Sequence, residues 1–185
     1  MSKLSFILQY ITKPRTVGAI LPSSKYLAKK MTQNINFESA KTIVEYGPGT
    51  GVFTDRLLKL RKPDTSIFIF ENNKLFCDTL KQKYEGQANF YIINDSAQHV
   101  GKYLAQHNIP FADCIISGLP FASIPESVSI DILKETKKHL GDNGKFITFQ
   151  YTLLKKDFIG QFFSSVEVTR ELRNVPPAYV LCCRG

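Results

Sequence analysis

No apolar run in this chain approaches the roughly 20 residues that a membrane helix needs; stretches such as "IFIF" at 67–70 are far too short to span a bilayer. The N-terminus also lacks a small-residue cleavage site after an apolar stretch, so the expected location is cytoplasmic. Four cysteines, Cys77, Cys114, Cys182 and Cys183, show no CxxC spacing and no paired Cys/His cluster. That excludes a zinc motif and a disulfide framework, and buried thiols with no metal are expected. The three histidines, His99, His107 and His139, have no partner at metal or triad spacing and should lie at the surface or at helix ends. No repeat, low-complexity tract or linker divides the chain. Residues 1–185 should therefore form a single domain, with 43% hydrophobic residues to fill one core.

Acidic residues are absent before Glu38, although Lys3, Lys13, Arg15, Lys25, Lys29 and Lys30 all precede it. The rest of the chain carries 18 cations against 16 acids, so most of the net +8 sits in the first fifth. A local basic segment suits a polyanion, either nucleic-acid phosphate or an anionic lipid surface. A solvated face kept for solubility is the alternative. Within "KLSFILQYITKPR", Leu4, Ile7, Leu8 and Ile11 fall at i, i+3, i+4 and i+7 between basic flanks. Residues 1–38 are accordingly read as a basic amphipathic segment that contacts a membrane, lids a cleft, or does both. At on the order of 1 kcal/mol per cation near an anionic surface, six could hold the protein there without a span.

Short β-rich runs alternate with helical ones. "TIVEY" (42–46), "SIFIFE" (66–71), "NFYII" (89–93), "DCIIS" (113–117) and "KFITFQY" (145–151) are separated by "VFTDRLLKL", "NKLFCDTLKQKY", "SAQHVGKYLAQH" and "ESVSIDILKETKKHL". The pattern predicts an α/β fold with a mostly parallel sheet and helices on both faces, its ligand at the C-terminal strand ends. "VEVTREL" and "AYVLCCR" are joined only by "RNVPP", too short for a parallel crossover, and should form an antiparallel edge hairpin.

"VEYGPGTG" (44–51) runs from the first strand into a helix and places Gly47, Gly49 and Gly51 behind Glu45. It carries no Gly-Lys-Ser/Thr and does not match GxGxxG, and a carboxylate there would repel phosphate. A cationic ligand suits it better. Glu71 follows Glu45 by 26 residues and Asp95 follows Glu71 by 24, about one βα unit each. Three carboxylates then line one sheet edge, where an amino-acid end, a ribose diol and an adenine amine would each find an acceptor. Taken singly, Glu71 or Asp95 could instead cap a helix.

With "NDSA" (94–97) and "SGLPF" (117–121), these motifs resemble those of class I S-adenosylmethionine-dependent methyltransferases across most of the chain. The resemblance implies a seven-stranded Rossmann-like sheet ending in the hairpin. It also implies that Gly47, Pro48, Gly49, Thr50 and Gly51 wrap the methionine end with Glu45 behind. Glu71 beside Asn72 would take the ribose hydroxyls, and Asp95 beside Ser96 the adenine amine. Ser117, Gly118, Leu119, Pro120 and Phe121 would lie at the transfer site, Ser117 also touching the cofactor.

Two branches share "TVGAILPSSKYLAKKM", "EYGPGTGVFT" and "GLPF": ribosomal RNA adenine dimethyltransferases and bacterial phospholipid N-methyltransferases. The adenine branch has an Asn-Leu-Pro-Tyr type motif whose Asn holds the base amine; here that position is Gly118 and the aromatic is Phe121. "PRTVGAILPSS", "SGLPFASIP" and "NVPPAYV" are similar to stretches of the phospholipid branch. An amine in a lipid head group such as phosphatidylethanolamine is the expected acceptor, with RNA, a soluble amine and a non-catalytic binding role as alternatives. Phe121 and Tyr151 are expected either to face the amine and sulfonium by cation–π contact or to be core aromatics. Ser23 and Ser24 are expected to cap a helix after Pro22.

Overall fold

The computed structural model of the chain describes residues 24–185. Among these, the apolar runs form seven strands: β1 (Thr42–Tyr46), β2 (Ser66–Phe70), β3 (Phe90–Ile93), β4 (Ala112–Ser117), β5 (Leu140–Gln150), β6 (Ser165–Glu171) and β7 (Ala178–Arg184). The sheet order is β3-β2-β1-β4-β5-β7-β6. The first five strands are parallel, and β7 inserts antiparallel to both β5 and β6. The expected hairpin is present, and β6 is the edge. Strand order reverses between β1 and β4, which opens a crevice beyond their C-terminal ends.

Side-chain alternation divides the core in two. Along β1, Ile43 joins a cluster with Leu27, Phe53, Leu57 and Leu80, while Val44 and Tyr46 join one with Leu104, Leu133, Phe146 and Ile159. One face is thus covered by α1 (Lys25–Thr32), α2 (Val52–Leu60) and α3 (Lys74–Lys83), and the other by α4 (Val100–Gln106), α5 (Glu126–Lys138) and α6 (Lys156–Gly160). Burial on both faces explains why β2 reads as a nearly continuous apolar run, and it leaves Glu45 in β1 fully enclosed. All four cysteines are buried and free, as expected.

Three local differences have physical causes. The expected helix over 96–107 is broken: the Ser96 hydroxyl caps a 3-10 turn at Ala97–His99, and α4 starts after it. The helix expected to reach Leu140 ends at Lys138, because Leu140 is buried and pairs with Ala112 as the first residue of β5. A register shift between Ala112 and Cys114 then carries β5 through the glycine-containing stretch 141–144. Helix α6 was not anticipated; only five residues long, it is held by buried Ile159.

The stretch "KLSFILQYITKPR" and Ser23 lie outside the described residues. From Ser24 onward the basic segment belongs to the domain body. The Ser24 hydroxyl accepts from Leu27 N at 3.1 Å and caps α1, while Leu27 and Met31 are fully buried. Its backbone N–H donates to Asn174 Oδ1 at 3.1 Å, fixing the start of α1 beside the β6–β7 loop.

Candidate active site

Tyr46 pairs in register with Phe70 on one side and Ser117 on the other, so the loops after β1, β2 and β4 converge on one edge. The first is the glycine loop. Gly47 N–H donates to Phe70 O and Gly51 N–H to Pro48 O, both at 2.9 Å. Gly47, Gly49 and Gly51 take φ of 63°, 55° and 85°, a left-handed conformation costly to other residues. Behind the loop, the Tyr84 hydroxyl donates to Asp55 Oδ1 (2.7 Å) and lies 3.0 Å from Gly51 O, and Lys83 Nζ reaches Asp55 at 2.8 Å. A side chain at Gly51 would collide with that tyrosine, whereas at Gly49 it would meet nothing within 4 Å. The open side of the loop is the one a ligand can approach. Pro48 is buried, and Thr50 is exposed.

Glu45 lies inside β1 and is fully buried. Its Oε2 accepts from Thr54 Oγ1 at 2.7 Å, but its Oε1 is buried without a hydrogen-bond partner. Burial pushes this carboxyl up to about 8, with the Thr54 hydrogen bond opposing the shift. An orphaned carboxylate oxygen behind a glycine loop fits the ammonium of a methionine end, which would supply both the missing donor and a countercharge.

Glu71 stands one residue past β2, and its Oε1 accepts from Asn73 N–H at 2.8 Å. Burial raises its pKa while the Asn73 and Gly49 N–H groups oppose the rise, which ties it to the glycine loop. Asn72 beside it is exposed. Asp95 follows β3 and is clamped on both oxygens. Oδ1 accepts from Ser96 N–H (2.7 Å) and pairs with His99 Nδ1 (2.8 Å), and Oδ2 accepts from the Tyr103 hydroxyl (2.8 Å). The His99 hydrogen bond first, and then the Tyr103 and Ser96 donors, hold its carboxyl down to about 2. Neither acid is a helix cap: Asn73 and Ser96 do that work. All three acids therefore stand at or just behind the expected edge, Asp95 with both oxygens engaged and Glu45 with one oxygen unpartnered.

The β4 loop completes the site. Ser117 is buried, and its Oγ accepts from Leu119 N–H at 3.2 Å. Gly118 N–H donates to Tyr46 O at 2.8 Å, so close to the glycine loop that a Cβ on residue 118 would sit 2.7 Å from Gly47 O. Leu119 packs over Gly47, and Pro120 is half-buried. Phe121 corrects an expectation. It is completely buried with its ring edge-on to Phe146 (6.4 Å between centroids), so it is a core aromatic withdrawn from the cleft. Apolar partners on the α4–α6 face outcompete a position beside solvent. Tyr151, just past β5, stays half-buried; its ring is edge-on to Phe149 (5.6 Å), and its buried hydroxyl makes no well-formed hydrogen bond beside Asn174.

Four supporting residues were missed in the sequence: Thr54, Tyr84, His99 and Tyr103. The last two carried a readable signal, since they follow Asp95 at i+4 and i+8, although the structure brings them to it through a 3-10 turn and the start of α4 and not along one helix. His99, His107 and His139 do fall at helix ends, but His99 and His139 each contact a carboxylate, Asp95 and Glu135. Among the described residues, no group of three or more His, Cys, Asp or Glu could hold a metal, and no helix is long and apolar enough to cross a membrane.

The fold and this constellation define a class I S-adenosylmethionine-dependent methyltransferase. Solved structures with the same fold include an rRNA methylase from Streptococcus thermophilus (TM-score 0.63, 14% identity, covering 85% of this chain and 93% of that one). A precorrin-6y C5,15-methyltransferase from Geobacter metallireducens gives 0.67 at 15% identity over 86% and 88%. A Streptococcus mutans protein solved with S-adenosylhomocysteine gives 0.63 at 18% over 86% and 96%. The family model for ribosomal RNA adenine dimethylases matches residues 11–158, and the chain belongs to that family. It is 30% identical over 182 residues to an ornithine lipid N-methyltransferase from Singulisphaera acidiphila, covering 97% of this chain and 94% of that protein. It is 27% identical over 139 residues to a ribosomal RNA small subunit methyltransferase A from Dehalococcoides mccartyi, covering 65% of this chain and 46% of that protein.

Proposed function

We propose that the protein methylates the amine of a lipid head group, phosphatidylethanolamine or an ornithine lipid being the acceptors of choice. The observation that carries this reading is Gly118. The adenine-type motif needs an Asn side chain there, and here a side chain would meet Gly47 O. The lipid-modifying relative, similar over nearly the whole of both chains, supports the same acceptor class.

When bound, S-adenosylmethionine supplies an electrophilic methyl on a sulfonium, so the protein's task is to orient and desolvate. Glu45 and the N–H groups of the glycine loop hold the methionine end, Glu71 the ribose, and Asp95 with Ser96 the adenine. The loop Ser117–Pro120 and Tyr151 flank the remaining opening, where the half-buried Tyr151 ring could face a cation. A head-group amine must reach the methyl group without its proton, so turnover should rise with pH until the amine is neutral. Residues 1–38, cationic and apolar in sequence, would keep the enzyme peripheral to an anionic membrane.

The family match favours RNA as a second acceptor class. One experiment separates the two. Purified protein is incubated with methyl-labelled S-adenosylmethionine and, in parallel, vesicles containing phosphatidylethanolamine, vesicles containing ornithine lipid, or total RNA. Label is expected in lipid. Label confined to RNA would overturn the proposal.

A further inference from the structure

Five of the seven large apolar residues exposed among the described residues gather at one edge. Leu153 and Leu154 follow β5, Leu172 and Val175 lie between β6 and β7, and Tyr26 opens α1; Leu154, Leu172 and Val175 are 85%, 65% and 75% exposed. The two loops are neighbours by strand register, since Gln150 pairs with Tyr179 and Glu171 with Ala178. Helix α1 joins them through the Ser24–Asn174 hydrogen bond and through Tyr26, whose ring lies 4.6 Å from the Arg173 guanidinium. This edge is also where the glycine loop and Ser117–Pro120 open, because all these loops leave the same ends of the sheet.

The same three segments are strongly cationic. Residues 24–33, 150–157 and 170–177 contain seven lysines and arginines and two acids, Asp157 and Glu171. Glu171 is buried and bound to Arg173 at 2.9 Å, and Lys155 pairs with Glu126 of α5 at 3.1 Å. Isolated surface leucines need no explanation, but leucines clustered on two protruding tips within a cationic rim do. RNA readout uses stacking aromatics and hydrogen bonds, and protein hot spots favour Trp, Tyr and Arg over Leu. Apolar tips that insert while cations meet head groups match an anionic bilayer surface.

We infer that the loop tips Leu153–Leu154 and Leu172–Val175, with the first turns of α1, form a docking surface for an anionic lipid bilayer. The inference rests on the lipid-acceptor reading and adds where the enzyme meets its substrate. Docked this way, the cofactor edge faces the head groups, and an amine can enter the cleft without leaving the membrane plane.

The test uses the full chain carrying Leu154→Glu and Leu172→Glu, both at exposed positions. Co-sedimentation with vesicles of phosphatidylglycerol and phosphatidylethanolamine should fall about tenfold or more. S-adenosylmethionine binding, and methylation of the same lipid dispersed in detergent, should stay near the wild-type level. Unchanged sedimentation would overturn the docking surface and leave the acceptor reading standing. Wild-type protein that sediments through these leucines but labels no lipid would overturn the acceptor reading instead. A second measurement does not rely on loss. The chain contains no tryptophan, so Leu154→Trp reports alone. Its fluorescence should shift to the blue with anionic vesicles and not with RNA; the reverse would place RNA at this edge and overturn the inference.

Discussion

The half of the site made by the ends of β1, β2 and β3 is built from polar side chains that hold one another. Thr54 bonds Glu45, Tyr84 and Lys83 pin the glycine loop, and His99 and Tyr103 clamp Asp95. The half made by β4 and β5 is held mainly by backbone contact and apolar packing, as in Gly118 against Tyr46 O and Phe121 against Phe146, and the polar bonds of the β6–β7 loop, Arg173 to Glu171 and Ser24 to Asn174, tie that loop to itself and to α1. A cofactor of fixed shape rewards preorganised donors and acceptors. A diffuse lipid acceptor needs an opening of the right polarity more than a set of directed bonds. Mutations should therefore damage the two halves differently.

Glu45→Ala should have the largest effect: binding of S-adenosylmethionine by calorimetry is expected to weaken by about 3 kcal/mol or more, because a buried countercharge is lost. Glu45→Gln separates charge from shape. In the cofactor-free wild type the carboxyl titrates near 8 when folded but near 4.5 when unfolded, so the folded state holds the extra proton between those values. Stability should thus fall as pH rises through that window, and the Gln variant should lose this slope in denaturant titrations. Cofactor affinity should climb over the same range in wild type only, as the carboxylate ionises.

On the acceptor side, Gly118→Asn is expected to cost about 1–3 kcal/mol of stability by overpacking against Gly47 O, with no gain of RNA methylation. If the variant proved stable and labelled RNA, the contrast between the halves would collapse. Glu71→Ala should weaken cofactor binding by roughly 1–3 kcal/mol, through loss of charge-assisted hydrogen bonds, while leaving vesicle sedimentation intact. The smallest effect is expected from Tyr84→Phe, about 1 kcal/mol of thermal stability, with a matching small loss of cofactor affinity as the glycine loop loosens.

The same contrast explains what could be read from residues alone. Glu45, the three glycines, Glu71 and Asp95 were legible because each is fixed relative to a strand end, and strand ends are marked by apolar runs. Phe121 was not: whether an aromatic after β4 turns to the cleft or to the core depends on Phe146, 25 residues later. The exposed leucines were unreadable for a related reason, since Leu154 and Leu172 are brought to the same end of the sheet only by the pairing of β5, β7 and β6. Helix α1 lay inside a quoted motif yet was visible only at Ser24, its cap.

Strand β7 is made after β6 but lies inside it, between β6 and β5. During synthesis the chain reaches the end of β6 with the open side of β5 still unpaired and Phe149, Ile147 and their neighbours without their partner strand. The sheet cannot close until β7 is available, so the nascent protein carries a bare β5 edge for as long as β7 is missing. Chaperone cover, or slow release of the growing chain, would matter most in that interval.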